Sequence, residues 1–110
     1  MQTRCVRIRL KPGSLERVRE WAAEIDARRA EALQTLEDEG LTLECFFLET
    51  TEEGDFLIGF TCADNFEQAQ ATVERSLHAI DAYHQEFKRD TWESGRRLEL
   101  LVELSRIRAP

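Results

Sequence analysis

The sequence predicts an α+β protein of the ferredoxin-like type, a βαββαβ sandwich with helices on one face of an antiparallel four-stranded sheet. Three observations predict it. Strand-like alternation of apolar and polar residues recurs along the 110-residue chain, helical apolar stripes lie between the first and second strands and between the third and fourth, and a polar glycine-containing turn joins the middle strands. We expect a single ferredoxin-like domain over residues 1–110, with sheet order 4-1-3-2 and a loose tail over residues 106–110.

The first strand is predicted over residues 5–10, where apolar and polar residues alternate. A helical stripe follows over residues 14–39, with Ser14 as the expected N-cap and Gly40 as the C-cap. A helix of that length would run ~39 Å, whereas a strand of about six residues covers only ~20 Å. We therefore expect this helix to overhang the sheet or to bend.

The second and third strands are predicted over residues 41–50 and 56–62, joined by a polar hairpin turn. If the helices cover one side of the sheet, the other side should show four large apolar groups, from Phe46, Leu48, Leu57 and Leu101. Such a bare apolar face favours a two-fold partner, and we therefore expect a homodimer.

The second helical region should begin with a capping box that starts at Asp64. Its apolar pattern breaks over residues 76–79, and a further helix is predicted over residues 80–92, ended by Gly95.

The last strand is predicted over residues 98–104, where Leu98, Leu100, Val102 and Leu104 alternate with Glu99, Leu101 and Glu103. In the order 4-1-3-2 this strand pairs with the first. The outward Arg7 and Arg9 should then meet the outward Glu99 and Glu103 across the ladder.

The best candidate for a site centres on His84. On a helix, His84 points towards the core, and Asp81 lies one turn earlier, where it would orient the imidazole ring. We therefore take His84 as a candidate general base or hydrogen-bond donor, with Asp81 as its catalytic partner. Arg29, Tyr83 and His78 are the candidate ligand-binding residues. Arg29 interrupts an apolar stripe, so that it either extends its head into solvent or anchors an anionic ligand.

Two other interpretations of these residues remain open. His84 would be a structural core histidine if it bonds Asp81 or a strand carbonyl. A metal site of His78, Asp81 and His84 needs a break in the helix near Ala79, because the three span about 120° of a regular helix. We predict neither a metal nor haem nor any other cofactor.

Composition excludes several functional classes. The net charge is −7, from 22 acidic and 15 basic residues, and the basic residues are scattered, which argues against nucleic acid and anionic membranes as partners. No apolar run approaches the ~20 residues of a membrane span. Three separated cysteines and no signal-peptide pattern predict reduced, structural thiols and a cytoplasmic location. Nucleotide-binding, serine-hydrolase and zinc-finger motifs are absent.

With this order of elements, three stretches carry a resemblance that covers nearly the whole chain. They are residues 6–13, residues 28–33 and the Ile80-Asp81-Ala82-Tyr83-His84 motif that leads to Trp92. The chain resembles a family of short, uncharacterised prokaryotic proteins of the dimeric α/β-barrel type. The resemblance implies the fold and no assigned activity.

The sequence therefore predicts a homodimer that binds an unidentified small molecule in a small, mostly apolar pocket beside His84. The alternative is a non-catalytic structural or interaction dimer in which His84 belongs to the core. A third interpretation, a cofactor-free monooxygenase-like enzyme, rests on fold analogy alone. Whether the protein is an enzyme stays open at this point.

Overall fold

The computed structural model describes residues 1–106, so most of the predicted loose tail lies outside the described residues. Within them, four strands and four helices follow one another along the chain. They are β1 (Gln2–Leu10), α1 (Leu15–Ala27), α2 (Arg29–Glu39), β2 (Leu41–Thr51), β3 (Gly54–Ala63), α3 (Phe66–Glu74), α4 (Ala79–Thr91) and β4 (Trp92–Arg97). No helix among these residues is both long and apolar enough to cross a membrane.

The strands form one antiparallel sheet in the order β2-β3-β1-β4. This is the predicted order 4-1-3-2, and the ferredoxin-like fold class is confirmed. The helices pack on one face of the sheet, where Ile8 and Leu57 are almost completely buried beneath Trp21 and Phe87. Burial of these large side chains supplies the main stabilisation of the sandwich.

The predicted orientation of β2 and β3 is wrong by one residue. Leu57 pairs with Ile8 on one side and with Leu48 on the other, so all three point towards the helices, as does Phe46. Because β3 is apolar on both faces, alternation along the strand does not reveal which set points inward, and a slip of one residue exchanges the two faces.

The side of the sheet without helices is called here the open face. It is still apolar, although its residues differ from those predicted. On β2 the exposed Leu43 and Phe47 belong to it, and on β3 the half-buried Ile58 and Phe60 lie beside them. All three cysteines point to this side as free thiols: Cys5, Cys45 and Cys62.

The predicted long helix bends. Arg28, with φ −107° and ψ 36°, separates α1 from α2, which allows both helices to stay over the sheet. Ser14 occupies the N-cap position, but its hydroxyl donates to the carbonyl oxygen of Lys11 at 2.6 Å instead of capping the helix. Gly40 ends α2 in the left-handed region with φ 70°, as predicted.

The N-cap of α3 is Asn65 and not Asp64. The Asn65 side-chain oxygen accepts a hydrogen bond from the backbone N–H of Gln68 at 2.9 Å. Asn and Asp are almost equally good caps, so the sequence did not distinguish between two neighbouring candidates. The predicted break before α4 is present, between Glu74 and Ala79.

The last strand lies earlier in the chain than predicted. α4 ends at Thr91 and β4 follows immediately, so Gly95 does not end a helix but pairs with Ile8 inside the sheet. Residues 98–106, called here the C-terminal segment, have no regular secondary structure, although their apolar residues alternate like those of a strand.

The predicted cross-strand ion pairs are therefore absent. Arg7 lies opposite Arg96 and donates instead to Glu49 on β2, with Nη2 to Oε1 at 2.9 Å. Arg9 lies opposite Ser94 and donates to the carbonyl oxygen of Glu53. Both guanidinium groups cover the same phenylalanine on the open face, Phe56, at 3.6 and 4.7 Å from its ring centroid. Of the predicted acidic partners, Glu103 accepts from Thr3.

Candidate functional site

A cleft of about 570 Å³ lies between the four helices and the sheet. All four helices and the three strands β1, β2 and β3 contribute lining residues, and both apolar and polar side chains are among them. The polar and charged side chains that line it are Arg4, Asp26, Arg29, Thr35, Glu39, Glu44, Thr61, Gln70, Asp81, His84, Gln85 and Lys88. The predicted pocket beside His84 therefore has a counterpart in the structure, but about half of its lining residues are polar or charged, so it is not mostly apolar.

The floor of the cleft is a row of three residues across the sheet. Thr61 on β3 pairs with Arg4 on β1 and with Glu44 on β2, so all three side chains point to the helix side. In the next row Phe46 lies over Gly59, where an added Cβ would come within 3.2 Å of the phenylalanine ring. The helix-covered face is thus apolar along most of its length and becomes polar at the cleft.

His84 is held in the wall of the cleft by an aromatic partner. The indole Nε1–H of Trp21 donates to His84 Nδ1 at 3.1 Å, and the two rings stack with centroids 5.6 Å apart. Because Nδ1 accepts this bond, the imidazole is the neutral tautomer with its proton on Nε2. Burial, followed by the nearby charge of Lys88, lowers the pKa of His84 to about 3.

The second ring nitrogen of His84 is free to meet a ligand. Nε2 has no hydrogen-bond partner within residues 1–106, and it is not fully buried, so it retains contact with solvent. Among the described residues, the fully buried side-chain atom without a partner is Trp92 Nε1. With Nδ1 occupied and the pKa lowered, His84 is suited to donate a hydrogen bond into the cleft and poorly suited to act as a general base.

Four charged side chains enter the cleft without a direct partner. None of Arg4, Lys88, Glu39 and Glu44 forms a side-chain hydrogen bond or an ion pair with another described residue. The two cations contact aromatic rings instead. Arg4 lies 4.1 Å from the ring centroid of Phe66, and Lys88 Nζ lies 4.8 Å from that of Trp92.

The pKa values of these four groups show how the charges affect one another. Burial and the negative charges of Asp81 and Glu44 raise the pKa of Glu39 to about 7. Burial also raises the pKa of Glu44, and the positive charge of Lys88 opposes this rise. Burial lowers the pKa of Lys88, against the attraction of the two glutamates. Burial and the nearby Arg97 lower the pKa of Arg4.

Two of the predicted partners of His84 line the cleft with it. Asp81 does so, but it does not orient the imidazole, because it accepts a hydrogen bond from the hydroxyl of Ser76 and Trp21 takes the orienting role. Arg29 lies at the rim, with 70% of its side chain exposed and its guanidinium on Asp26. Both interpretations of Arg29 are thus partly realised, since its head reaches solvent and also borders the cleft.

The other two predicted residues lie outside the lining of the cleft. The hydroxyl of Tyr83 accepts from Arg17 Nη1 at 3.2 Å, on another side of α4. His78 precedes α4, and its Nε2 lies 2.8 Å from the carboxylate of Asp38 on α2. His78, Asp81 and His84 therefore have three separate partners, and no group of three or more metal-binding side chains occurs within residues 1–106.

Five residues at the cleft were not predicted from the sequence: Arg4, Glu39, Glu44, Lys88 and the orienting Trp21. One signal was present, since Lys88 follows His84 by one helical turn and shares its side of α4. Glu44 alternates with Phe46 and Leu48, but the reversed assignment of faces hid its position. Nothing in the sequence indicates that Trp21 and His84 meet.

Comparison with known proteins places the chain in a family. Residues 1–109 match the model of a family described as "Family of unknown function (DUF6176)". The chain belongs to this family. The match confirms the resemblance to uncharacterised proteins that the sequence suggested. No curated protein has a detectably similar sequence.

Solved structures share the fold of this family member at low sequence identity. L-rhamnose mutarotase from Formosa agariphila has a TM-score of 0.66 and 16% identity, over 96% of this chain and 100% of that one. A putative antibiotic biosynthesis monooxygenase from Nitrosomonas europaea has a TM-score of 0.57 and 15% identity, over 89% of this chain and 94% of that one. Both are ferredoxin-like proteins of the dimeric α/β-barrel type, and identity this low supports the fold and not the activity.

Proposed function

We propose that this protein binds a small polar organic molecule in the cleft beside His84, and that it does so as a homodimer. The observation that carries the proposal is the set of charged side chains without protein partners in that cleft. Charged side chains that converge on one cleft without protein partners are typical of a binding or catalytic site. The unoccupied Nε2–H of His84 adds an oriented neutral donor.

The alternative, a structural role for His84, accounts for only part of the geometry. It explains the hydrogen bond from Trp21 and the stacking within the core. It predicts no space beside the imidazole, whereas the cleft borders both His84 and Arg29. It also gives no reason for the unpaired Lys88 and Glu44.

The two structural neighbours suggest different reaction classes. The protein from Formosa agariphila is named for a sugar, L-rhamnose, and a hydroxyl-rich molecule of that kind suits a cleft with both donors and acceptors. The monooxygenase-like alternative needs substrate-dependent oxygen consumption that His84→Ala abolishes, and the charged floor makes an apolar substrate a poor fit.

The homodimer rests on exposed apolar surface in two places. On the open face Phe47 is 61% exposed, and in the C-terminal segment four apolar residues are 58–94% exposed, namely Leu100, Leu101, Val102 and Leu104. Clusters of large exposed apolar side chains are typical of protein–protein contact sites. In a dimer with a two-fold axis, each copy presents the same open face and the same C-terminal segment to its partner. The two copies can therefore cover each other's apolar surface. The dimeric α/β-barrel type of the neighbouring folds supports this assembly.

The test of ligand binding uses the indole N–H of Trp21, which bonds the cleft histidine, as an NMR reporter. The ¹⁵N-labelled protein is titrated with L-rhamnose, lactate and 4-aminobutanoate. A saturable shift of the Trp21 indole signal, lost in Lys88→Met and retained in Lys11→Met, is expected for at least one probe. Lys11 is exposed and lies outside the cleft lining. If no probe moves this signal, the structural alternative replaces the binding proposal.

A further inference from the structure

The arrangement of charge in the cleft indicates the class of ligand. Resting on the proposed binding function, we infer that the ligand is a small zwitterion whose carboxylate binds at Arg4 and whose ammonium group binds at Glu44 and Glu39. The inference goes beyond a general polar ligand, because it assigns one charge to each end of the molecule and sets their separation.

The positive end of the cleft is formed by Arg4. Its guanidinium has no carboxylate partner within residues 1–106, and its central carbon lies 4.1 Å from the ring centroid of Phe66. Arg97 on β4 adds a second positive charge nearby, and this repulsion helps to lower the pKa of Arg4. A planar guanidinium held in this way offers two parallel N–H donors to a carboxylate. A bound carboxylate would remove the repulsion between the two arginines.

The negative end is formed by Glu44 and Glu39, with Asp81 beside them. Burial, and after it the negative charge of Asp81, raises the pKa of both glutamates, while the charge of Lys88 opposes the rise. Lys88 is an ammonium group close to both glutamates, and it makes no direct ion pair with either. A ligand ammonium would supply the missing positive charge, whereas a neutral hydroxyl would not.

The sheet itself sets the distance between the two ends. Arg4 and Glu44 lie in one row on either side of Thr61, so their Cα atoms are two strand spacings, or ~10 Å, apart. If the two side chains rise side by side from the sheet, their charged groups are also ~10 Å apart, and a hydrogen bond of ~2.9 Å at each end leaves ~4 Å between the charged groups of the ligand. This separation suits a β- or γ-amino acid better than an α-amino acid. The Thr61 hydroxyl and the Nε2–H of His84 can contact the middle of such a molecule.

The test is a titration of the native protein with a matched series, followed through the Trp21 indole signal. The zwitterions are glycine, β-alanine, 4-aminobutanoate and 6-aminohexanoate, and the singly charged analogues are butanoate and butylamine. We expect β-alanine or 4-aminobutanoate to bind ~10-fold or more tightly than either analogue, because each charge-assisted contact contributes separately. Equal affinity for zwitterion and analogue overturns the inference.

Two cleft variants assign the ends. Arg4→Gln should remove the advantage of 4-aminobutanoate over butylamine, and Glu44→Gln should remove its advantage over butanoate. Arg89→Gln and Glu86→Gln, at exposed positions on α4, are the matched controls and should preserve both advantages. If either cleft variant does not fold, the ligand series on the native protein still decides whether the cleft prefers a zwitterion.

Failure of this inference is distinguishable from failure of the binding proposal. If L-rhamnose or a singly charged probe moves the Trp21 signal as strongly as every zwitterion, the cleft binds ligands but does not select a zwitterion. If no probe moves the signal, the zwitterion inference and the binding proposal are both wrong.

Discussion

The indole N–H of Trp21 donates to the Nδ1 atom of His84 at 3.1 Å and thereby fixes the tautomer of the cleft histidine. Trp21 also stacks on Phe87, with centroids 4.4 Å apart and planes inclined by 4°. One buried tryptophan on α1 thus packs the core and orients the candidate ligand donor on α4. Stability and ligand binding should therefore be coupled at this residue.

Removal of the indole donor tests this coupling. Trp21→Phe keeps an aromatic ring but leaves His84 Nδ1 without its donor, and we expect a loss of ~1–3 kcal/mol in the free energy of unfolding. Trp92→Phe is the matched control, since Trp92 Nε1 is buried without an acceptor and its removal deletes no hydrogen bond. Urea denaturation measures both variants. Equal losses would contradict the role assigned to the Trp21 hydrogen bond.

The lowered pKa of His84 predicts an acid-sensitive fold. In the folded protein the pKa is about 3 against an ordinary value of 6.5, so the unfolded chain binds the extra proton as the pH falls through 6.5. Stability should fall with pH below 6.5 and continue to fall towards pH 3. Between pH 7 and pH 5 this group alone should cost ~2 kcal/mol. His84→Phe should lack that part of the loss, as measured by urea denaturation at both pH values. If the free energy of unfolding falls equally with pH in the parent and in His84→Phe, the lowered pKa of His84 is not the cause of the acid sensitivity.

The raised pKa of Glu39 makes stability depend on pH in the opposite direction. The folded protein keeps a proton that the unfolded chain releases, so stability should decline as the pH rises from 4.5 to about 7. Glu39→Gln removes this penalty and should stabilise the protein at pH 8 by up to ~1 kcal/mol after solvent screening is allowed for. Glu37→Gln, at an exposed position on the same helix, is the control. Thermal unfolding at pH 5 and pH 8 checks both, and a Glu39→Gln variant that is less stable at pH 8 would refute the assignment.

The open face predicts the oligomeric state. Phe47→Glu introduces a charge where two copies are proposed to meet, and it should convert a dimer into a monomer with little effect on the fold, because Phe47 is exposed in the single chain. Leu77→Glu, at a fully exposed position in the connection before α4, should leave the dimer intact. Sedimentation velocity distinguishes the two. A native protein that sediments as a monomer at micromolar concentration would disprove the homodimer.

Some helices and strands were predicted correctly from the sequence, and others were not. A bend in the long helix was one of two expected outcomes. The end of α2 at Gly40, in the left-handed region, was predicted from the residue type. The last strand was misplaced because the alternation in the C-terminal segment is stronger than that in Trp92–Arg97, yet hydrogen bonding to β1 selects the latter. Alternation indicates a side chain's environment on one strand, and pairing depends on the neighbouring strand.

For the candidate site, local spacing brought His84 and Asp81 together on α4, and both line the cleft. The roles assigned from spacing did not carry over, because Asp81 bonds Ser76 and the orienting group comes from another helix. Contacts between residues 63 positions apart, such as that of Trp21 and His84, leave no trace in local periodicity.

Apolar periodicity and chain-breaking residues were enough to predict the ferredoxin-like fold class and the helix that carries His84, because both act over a few neighbouring positions. The tertiary structure decided which face of β3 is covered, which tryptophan holds His84, and that Arg4, Thr61 and Glu44 form one row. These features depend on strand register and helix packing between distant segments, where a shift of one residue exchanges the two faces of the sheet.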